Sequence, residues 1–100
     1  MYYVYILRCA DNTLYTGVAA DIERRMSEHF GQTERCAKYT RSHKAKEIEA
    51  VWETENRSLA QKLEYRIKQL TREQKKKLIE DESCLTKITG VFSEKYSRMK

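Results

Sequence analysis

Residues 2 to 9 read YYVYILRC, and this octet limits the fold more than any other stretch. It is rich in aromatic and β-branched residues, which favours a strand. Its apolar residues fall at both parities, so both faces of that strand have to be covered. Ala10-Asp11-Asn12 follows with turn chemistry, and Thr13 to Gly17 reads as the returning strand of a hairpin. Tyr5 and Tyr15 share a sheet face only if the turn holds an odd number of residues or the hairpin carries a bulge. A two-residue Asp11-Asn12 turn would place them on opposite faces.

From Asp21 the period changes. Ile22, Met26 and Phe30 recur every four residues and mark the buried stripe of a helix that Asp21 can cap, with Gly31 just past its end. Residues 31 to 46 are polar, basic and without period, which reads as a loop, of a length that is usually functional or mobile. Glu47 to Thr54 alternates through Ile48, Ala50 and Trp52 and reads as a third strand with one wetter face. Ser58-Leu-Ala-Gln61 has the form of a capping box, opening a helix with the stripe Leu59, Leu63, Ile67 and Leu70. Thr71-Arg-Glu-Gln74 repeats the form and starts a shorter, basic helix to about Glu80. Residues 81 to 100 form a tail in which Leu85, Ile88 and Phe92 suit either a helix or an extended segment. The order ββαβαα predicts an α+β domain over residues 1 to 80, a small three-stranded antiparallel sheet with flanking helices.

The chain of 100 residues has no apolar run near the roughly 20 that a membrane helix needs. MYYVYILRC lacks the charged start and long apolar stretch of a signal peptide. Cys9, Cys36 and Cys84 are odd in number and contain no CxxC pair, against both a disulfide framework and a zinc cluster. The expectation is a soluble cytoplasmic protein. Its positive charge is segregated: residues 57 to 77 are net +6 while the remainder is net −1, and residues 35 to 46 hold five cations and no acid. Such patches suit a polyanion, although a lysine-rich helix is more often a solvated face.

Val4-Tyr5-Ile6, Tyr15-Thr16-Gly17, Arg25 eight residues after that glycine, and Glu64 in a later helix together resemble the GIY-YIG nuclease superfamily. The likeness is nearest to its short, standalone bacterial members of the UPF0213 type, matched here by Arg25 to His29, Ala37 to Thr40, and Ala60 to Lys68. Two positions depart from the pattern, since Tyr3 replaces the first glycine of the motif and Cys36 precedes Ala37-Lys-Tyr-Thr40. The resemblance implies a metal-dependent endonuclease acting on DNA, branched or damaged, with RNA as the alternative polymer, in repair or recombination. It further implies that Glu64 holds one Mg2+ or Mn2+, that a tyrosine, with Tyr5 and Tyr15 as the candidates, lies near the attacking water, and that Arg25 meets the phosphate.

The residues can be weighed beside that likeness. On a helix turning about 100° per residue, Arg25 lies about 60° to one side of Ile22, Met26 and Phe30 lie to the other, and His29 falls between. Arg24 points nearly opposite, to water. Arg25 thus borders the core, where it can meet a phosphate or pair with a carboxylate at the helix edge. His29 suits a water or phosphate contact and equally a hydrogen-bonded core edge. Glu64 and Lys68 also make an ordinary i,i+4 pair. Lys38, Tyr39 and Arg41 mix cations with an aromatic and suit backbone contact and base stacking, as Lys68 suits phosphate. Three readings stand: an endonuclease, a nucleic-acid-binding module that cleaves little or nothing, and a protein-interaction domain.

Overall fold

In the computed structural model, which describes residues 1–31, 39 and 42–100, YYVYILRC forms an inner strand, β1 (Tyr2–Cys9). It is followed by β2 (Leu14–Ala19), α1 (Ile22–Phe30), β3 (Ala45–Thr54), α2 (Arg57–Lys68), α3 (Arg72–Glu80), α4 (Leu85–Thr89) and β4 (Ser97–Arg98). The fold is α+β. Its antiparallel sheet runs β2-β1-β3-β4 and so has four strands rather than the expected three.

Both faces of β1 are covered. Val4 and Ile6 point into a core built with Ala50, Trp52, Leu63, Ile67, Leu78, Leu85 and Val91, under α2, α3 and α4. Tyr5 and Leu7 point the other way, into a smaller cluster with Ala19, Met26, Ala45 and Val51 under α1. Burying each large aliphatic side chain contributes about 1.5–3 kcal/mol, so the first face holds most of the hydrophobic stabilisation.

Strand β3 corrects two expectations, for it starts at Ala45, inside the stretch read as a loop, rather than at Glu47, and its register slips. Ile6 pairs with Ala50 but Leu7 pairs with Ile48, leaving Glu49 as an extra residue in a bulge. The slip sends Ile48 to the α1 face, away from Ala50 and Trp52. Glu49 turns outward and accepts a hydrogen bond from Arg8 Nε at 2.9 Å.

Helix starts follow local side-chain chemistry. Asp21 accepts from the Arg24 N–H at 3.1 Å. Thr71 and Gln74 form the reciprocal capping box, at 3.2 and 2.9 Å. Helix α2 begins at Arg57 rather than after Ser58, because the Asn56 side chain takes the Leu59 N–H at 2.9 Å. Asparagine caps as well as serine, and a start at Arg57 still places Ala60, Leu63 and Ile67 inward.

Residues 81–100 take both forms open to them, helical in α4 and extended in β4. Leu85, Val91 and Tyr96 are buried in the main core, and Tyr96 Oη donates to the Leu59 carbonyl at 2.6 Å. The Arg98 guanidinium lies 5.1 Å above the Trp52 ring and donates to the Leu78 and Ile79 carbonyls near the end of α3. Among the described residues, no helix is long and apolar enough to cross a membrane.

Candidate active site

The parity of the first turn decides whether a site forms. Leu7 pairs with Tyr15 and Tyr5 with Gly17. Cys9 N–H donates to the Thr13 carbonyl at 2.9 Å, so the turn holds the three residues Ala10, Asp11 and Asn12. Asn12 takes φ 68°, the left-handed position such a turn requires and one that asparagine tolerates. Tyr5 and Tyr15 therefore share the α1 face, with ring centroids 6.3 Å apart.

Gly17 lets the Tyr5 ring cross β2. A Cβ added there would lie 2.4 Å from the Tyr5 hydroxyl, and Tyr5 is only 1% exposed, so its ring has no room to retreat. The hydroxyl ends 2.7 Å from His29 Nε2. His29 is fully buried, while Phe30, expected in the stripe, is 37% exposed. Helix periodicity explains the exchange, because a residue seven after Ile22 lies about 20° from it and one eight after lies about 80° away.

Burial pushes the Tyr5 phenol up to about 12, with the neighbouring Arg25 guanidinium pulling the other way. Burial likewise pushes the His29 imidazole down to about 4, and the Arg25 charge adds to this. Near neutral pH the pair is thus a protonated phenol against a neutral imidazole. The Tyr15 ring sits edge-on to His29 with centroids 5.6 Å apart and is half-buried, leaving its phenol the more accessible of the two.

Arg25 borders this cluster, its Nη1 donating to Glu28 at 2.9 Å, so the carboxylate at the helix edge is present. Arg24 is the solvated member of the pair, with its side chain 63% exposed. Glu64 projects from α2 into a groove of about 340 Å³ lined by Tyr2, Val18, Ala19, Ala20, Arg57 and Gln61. Lys68 Nζ lies 3.3 Å from its carboxylate. The Glu64 charge reaches across the β2 edge and helps raise the Tyr5 phenol. The structure thus gathers Tyr5, Tyr15, Arg25 and His29 on the α1 face, while Glu64 and Lys68 stand on α2, which packs on the other face, and only the charge of Glu64 is felt at Tyr5.

Tyr39 stacks on Tyr15, with centroids 5.4 Å apart, whereas Lys38 and Arg41 lie outside the described residues. The sequence reading missed His43, which stacks on Tyr39 at 4.2 Å and bonds through Nδ1 to Asp11 in the hairpin turn. Hydrogen bonds from Thr13, followed by the one from His43, hold the Asp11 carboxyl down to about 2. The only sequence signal for His43 is its spacing of four from Tyr39, which says nothing about Asp11.

This architecture, a hairpin and helix bringing two tyrosines, an arginine and a histidine together on one face of the sheet, defines a known class of fold. Residues 1–77 match the model of the GIY-YIG catalytic domain, and the chain belongs to the GIY-YIG family, a family of nuclease type. Its relatives within that family include UPF0213 proteins. It is 49% identical over 79 residues to UPF0213 protein OB0043 of Oceanobacillus iheyensis, covering 79% of this chain and 90% of that protein. It is 45% identical over 78 residues to UPF0213 protein FN1575 of Fusobacterium nucleatum, covering 78% of this chain and 76% of the relative. The solution structure of UPF0213 protein BH0048 from Bacillus halodurans superposes with a TM-score of 0.52 at 37% identity, covering 80% and 84% of the two chains.

Proposed function

We propose that the chain is a metal-dependent endonuclease that hydrolyses phosphodiester bonds in DNA, with branched or damaged DNA of repair or recombination as its substrate. The observation that carries this reading is the clustering of Tyr5, Tyr15, His29 and Arg25 on one sheet face at Gly17, with Glu64 lining a groove at the β2 edge from which its charge reaches Tyr5.

The residues fit a divalent ion of the Mg2+ type. Among the described residues there is no cluster of three or more His, Cys, Asp or Glu that could hold a metal, which leaves Glu64 as a single carboxylate. Mg2+ keeps most of its waters and accepts such a site, and a water occupies about 30 Å³, so the groove has room for an ion with its hydration. Glu64 would hold it once Lys68 releases the carboxylate, and the bound ion would stabilise charge on the phosphate oxygens.

Arg25 can turn from Glu28 to a non-bridging phosphate oxygen, where its charge opposes the negative charge that develops in the transition state. Tyr15, the accessible phenol, orients the attacking water. Tyr5 holds its own proton too tightly to lose it to bulk water. It instead keeps that proton on a hydrogen bond to His29 Nε2, 2.7 Å away, and the pair fixes the wall against which Tyr15 and Arg25 work.

The test is incubation with nicked, branched and single-stranded DNA in Mg2+, in Mn2+ and in EDTA. Cleavage is expected with either metal and not with EDTA, and Arg25→Ala and Glu64→Ala are expected to abolish it with folding intact by circular dichroism, while Arg24→Ala keeps it. Activity retained in both of the first two variants overturns the mechanism. The existing Arg25–Glu28 and Glu64–Lys68 ion pairs favour a second reading, a binding module with little or no cleavage. DNA binding that weakens steeply with salt and no cutting in any metal would establish it.

A further inference from the structure

The rings around Tyr15 adopt two different geometries. Towards the interior, Tyr5, Tyr15 and His29 meet tilted or edge to face, at 47°, 61° and 65°, as packed aromatic side chains commonly do. Towards solvent the rings become nearly parallel, with Tyr39 on Tyr15 at 21° and His43 on Tyr39 at 19°. The three form a continuous stack that leads out of the candidate active site and ends on an imidazole whose side chain is 36% exposed.

The last ring is held in place. His43 Nδ1–H donates to the Asp11 carboxylate, which is itself fixed by the Thr13 hydroxyl at 2.7 Å and the Thr13 N–H at 3.2 Å. The His43 N–H donates to the Tyr39 carbonyl at 2.8 Å, which keeps the two side chains in step. Among the described residues, no ring covers the outer face of His43. Burial alone explains Tyr5 and His29, but it does not call for an oriented, half-exposed imidazole at the end of a parallel stack.

We propose that the outer face of His43 is a stacking platform for an unpaired nucleobase next to the cleaved phosphodiester, so that the preferred substrate carries single-stranded nucleotides at the cut. The proposal rests on the nucleic-acid reading of the same site. Both faces of a paired base inside a duplex are already occupied by its neighbours. Only an unpaired, terminal or flipped base has a face to offer, and every base has one, so the preference is for strand state rather than sequence.

The experiment measures binding in EDTA, where cleavage plays no part, of one DNA sequence as a single strand and as a perfect duplex. A 2-aminopurine in the strand reports stacking through its fluorescence. His43→Ala is expected to weaken single-strand binding about tenfold and to remove 2-aminopurine quenching, with duplex binding unchanged. His43→Phe, which keeps a flat ring and loses the bond to Asp11, is expected to restore most of both, and it guards against a merely structural effect of the alanine. Equal losses on single strand and duplex, an unchanged single-strand affinity, or no rescue by phenylalanine overturns the platform. Glu64→Gln separates the two readings, since it should stop cleavage in Mg2+ and leave the His43-dependent preference in EDTA intact. If wild type cuts nothing yet shows that preference, the nuclease reading alone fails; if it cuts and the preference is missing, the platform alone fails.

Discussion

The two faces of the sheet are built from the same strand and differ in kind. On one, Val4 and Ile6 of β1 meet Trp52, Leu63, Ile67, Leu78, Leu85 and Val91, all at most 3% exposed. On the other, Tyr5 and Leu7 meet a short helix that buries a histidine, and an aromatic cluster runs from there to the surface. The first face supplies cohesion and offers almost no chemistry. The second buries less apolar surface and holds titratable groups out of water, a cost that the first face offsets. A small domain can carry a polar cluster of this kind because the strand between them is shared.

The sharpest way to break this division is Trp52→Ala, which empties the centre of the aliphatic face and removes the ring beneath Arg98. A loss of about 3–5 kcal/mol is expected in urea denaturation, enough to unfold a marginal domain of this size. A comparable loss from Tyr15→Ala would show that the two faces do not differ as described.

Acid titration probes the other face. The buried His29 takes up its proton only near pH 4, whereas in the unfolded chain it does so near the ordinary pH 6.5. Its contribution is therefore intact above pH 6.5 and is lost as pH falls through the window down to 4, by at most about 3 kcal/mol. His29→Gln should flatten that slope, as followed by thermal melts across the window. Tyr5 does the converse in alkali, with stability falling between pH 10 and about 12.

Gly17→Ala should cost about 1–3 kcal/mol, because its methyl would overlap the trapped Tyr5 hydroxyl, and it should reduce cleavage more than stability. Parallel melting and cleavage assays check this, and an active, undisturbed variant would remove Gly17 from the site. The smallest expected change is a gain. Thr16 projects to the aliphatic side, where its buried hydroxyl has no hydrogen-bond partner among the described residues. Thr16→Val should stabilise the fold by about 1 kcal/mol in the same denaturation experiment, since it removes an unsatisfied polar group at nearly constant volume.

Much of this was legible along the chain. Apolar residues at both parities of β1 required two covered faces, and Asp21 and Thr71 capped their helices through local chemistry. The unequal exposure of Arg24 and Arg25 followed from helix angle alone. Other features turned on choices that are close in energy locally. Asn56 and Ser58 are comparable caps, and the turn after β1 could hold two residues or three. Alternation through Ile48 gave no sign of the bulge at Glu49, because a bulge is fixed by what the partner strand offers.

The sequence by itself determined most of the elements up to Glu80 and the residues available for chemistry, because period, capping and turn propensity act over a few neighbours. Only the tertiary structure decided that Tyr5 and Tyr15 share a face, that His29 rather than Phe30 goes inside, that the tail adds a fourth strand, and that Asp11 meets His43 across 32 positions of chain. Each of those depends on a partner distant in sequence, and packing against that partner, not local preference, selects among nearly equal alternatives.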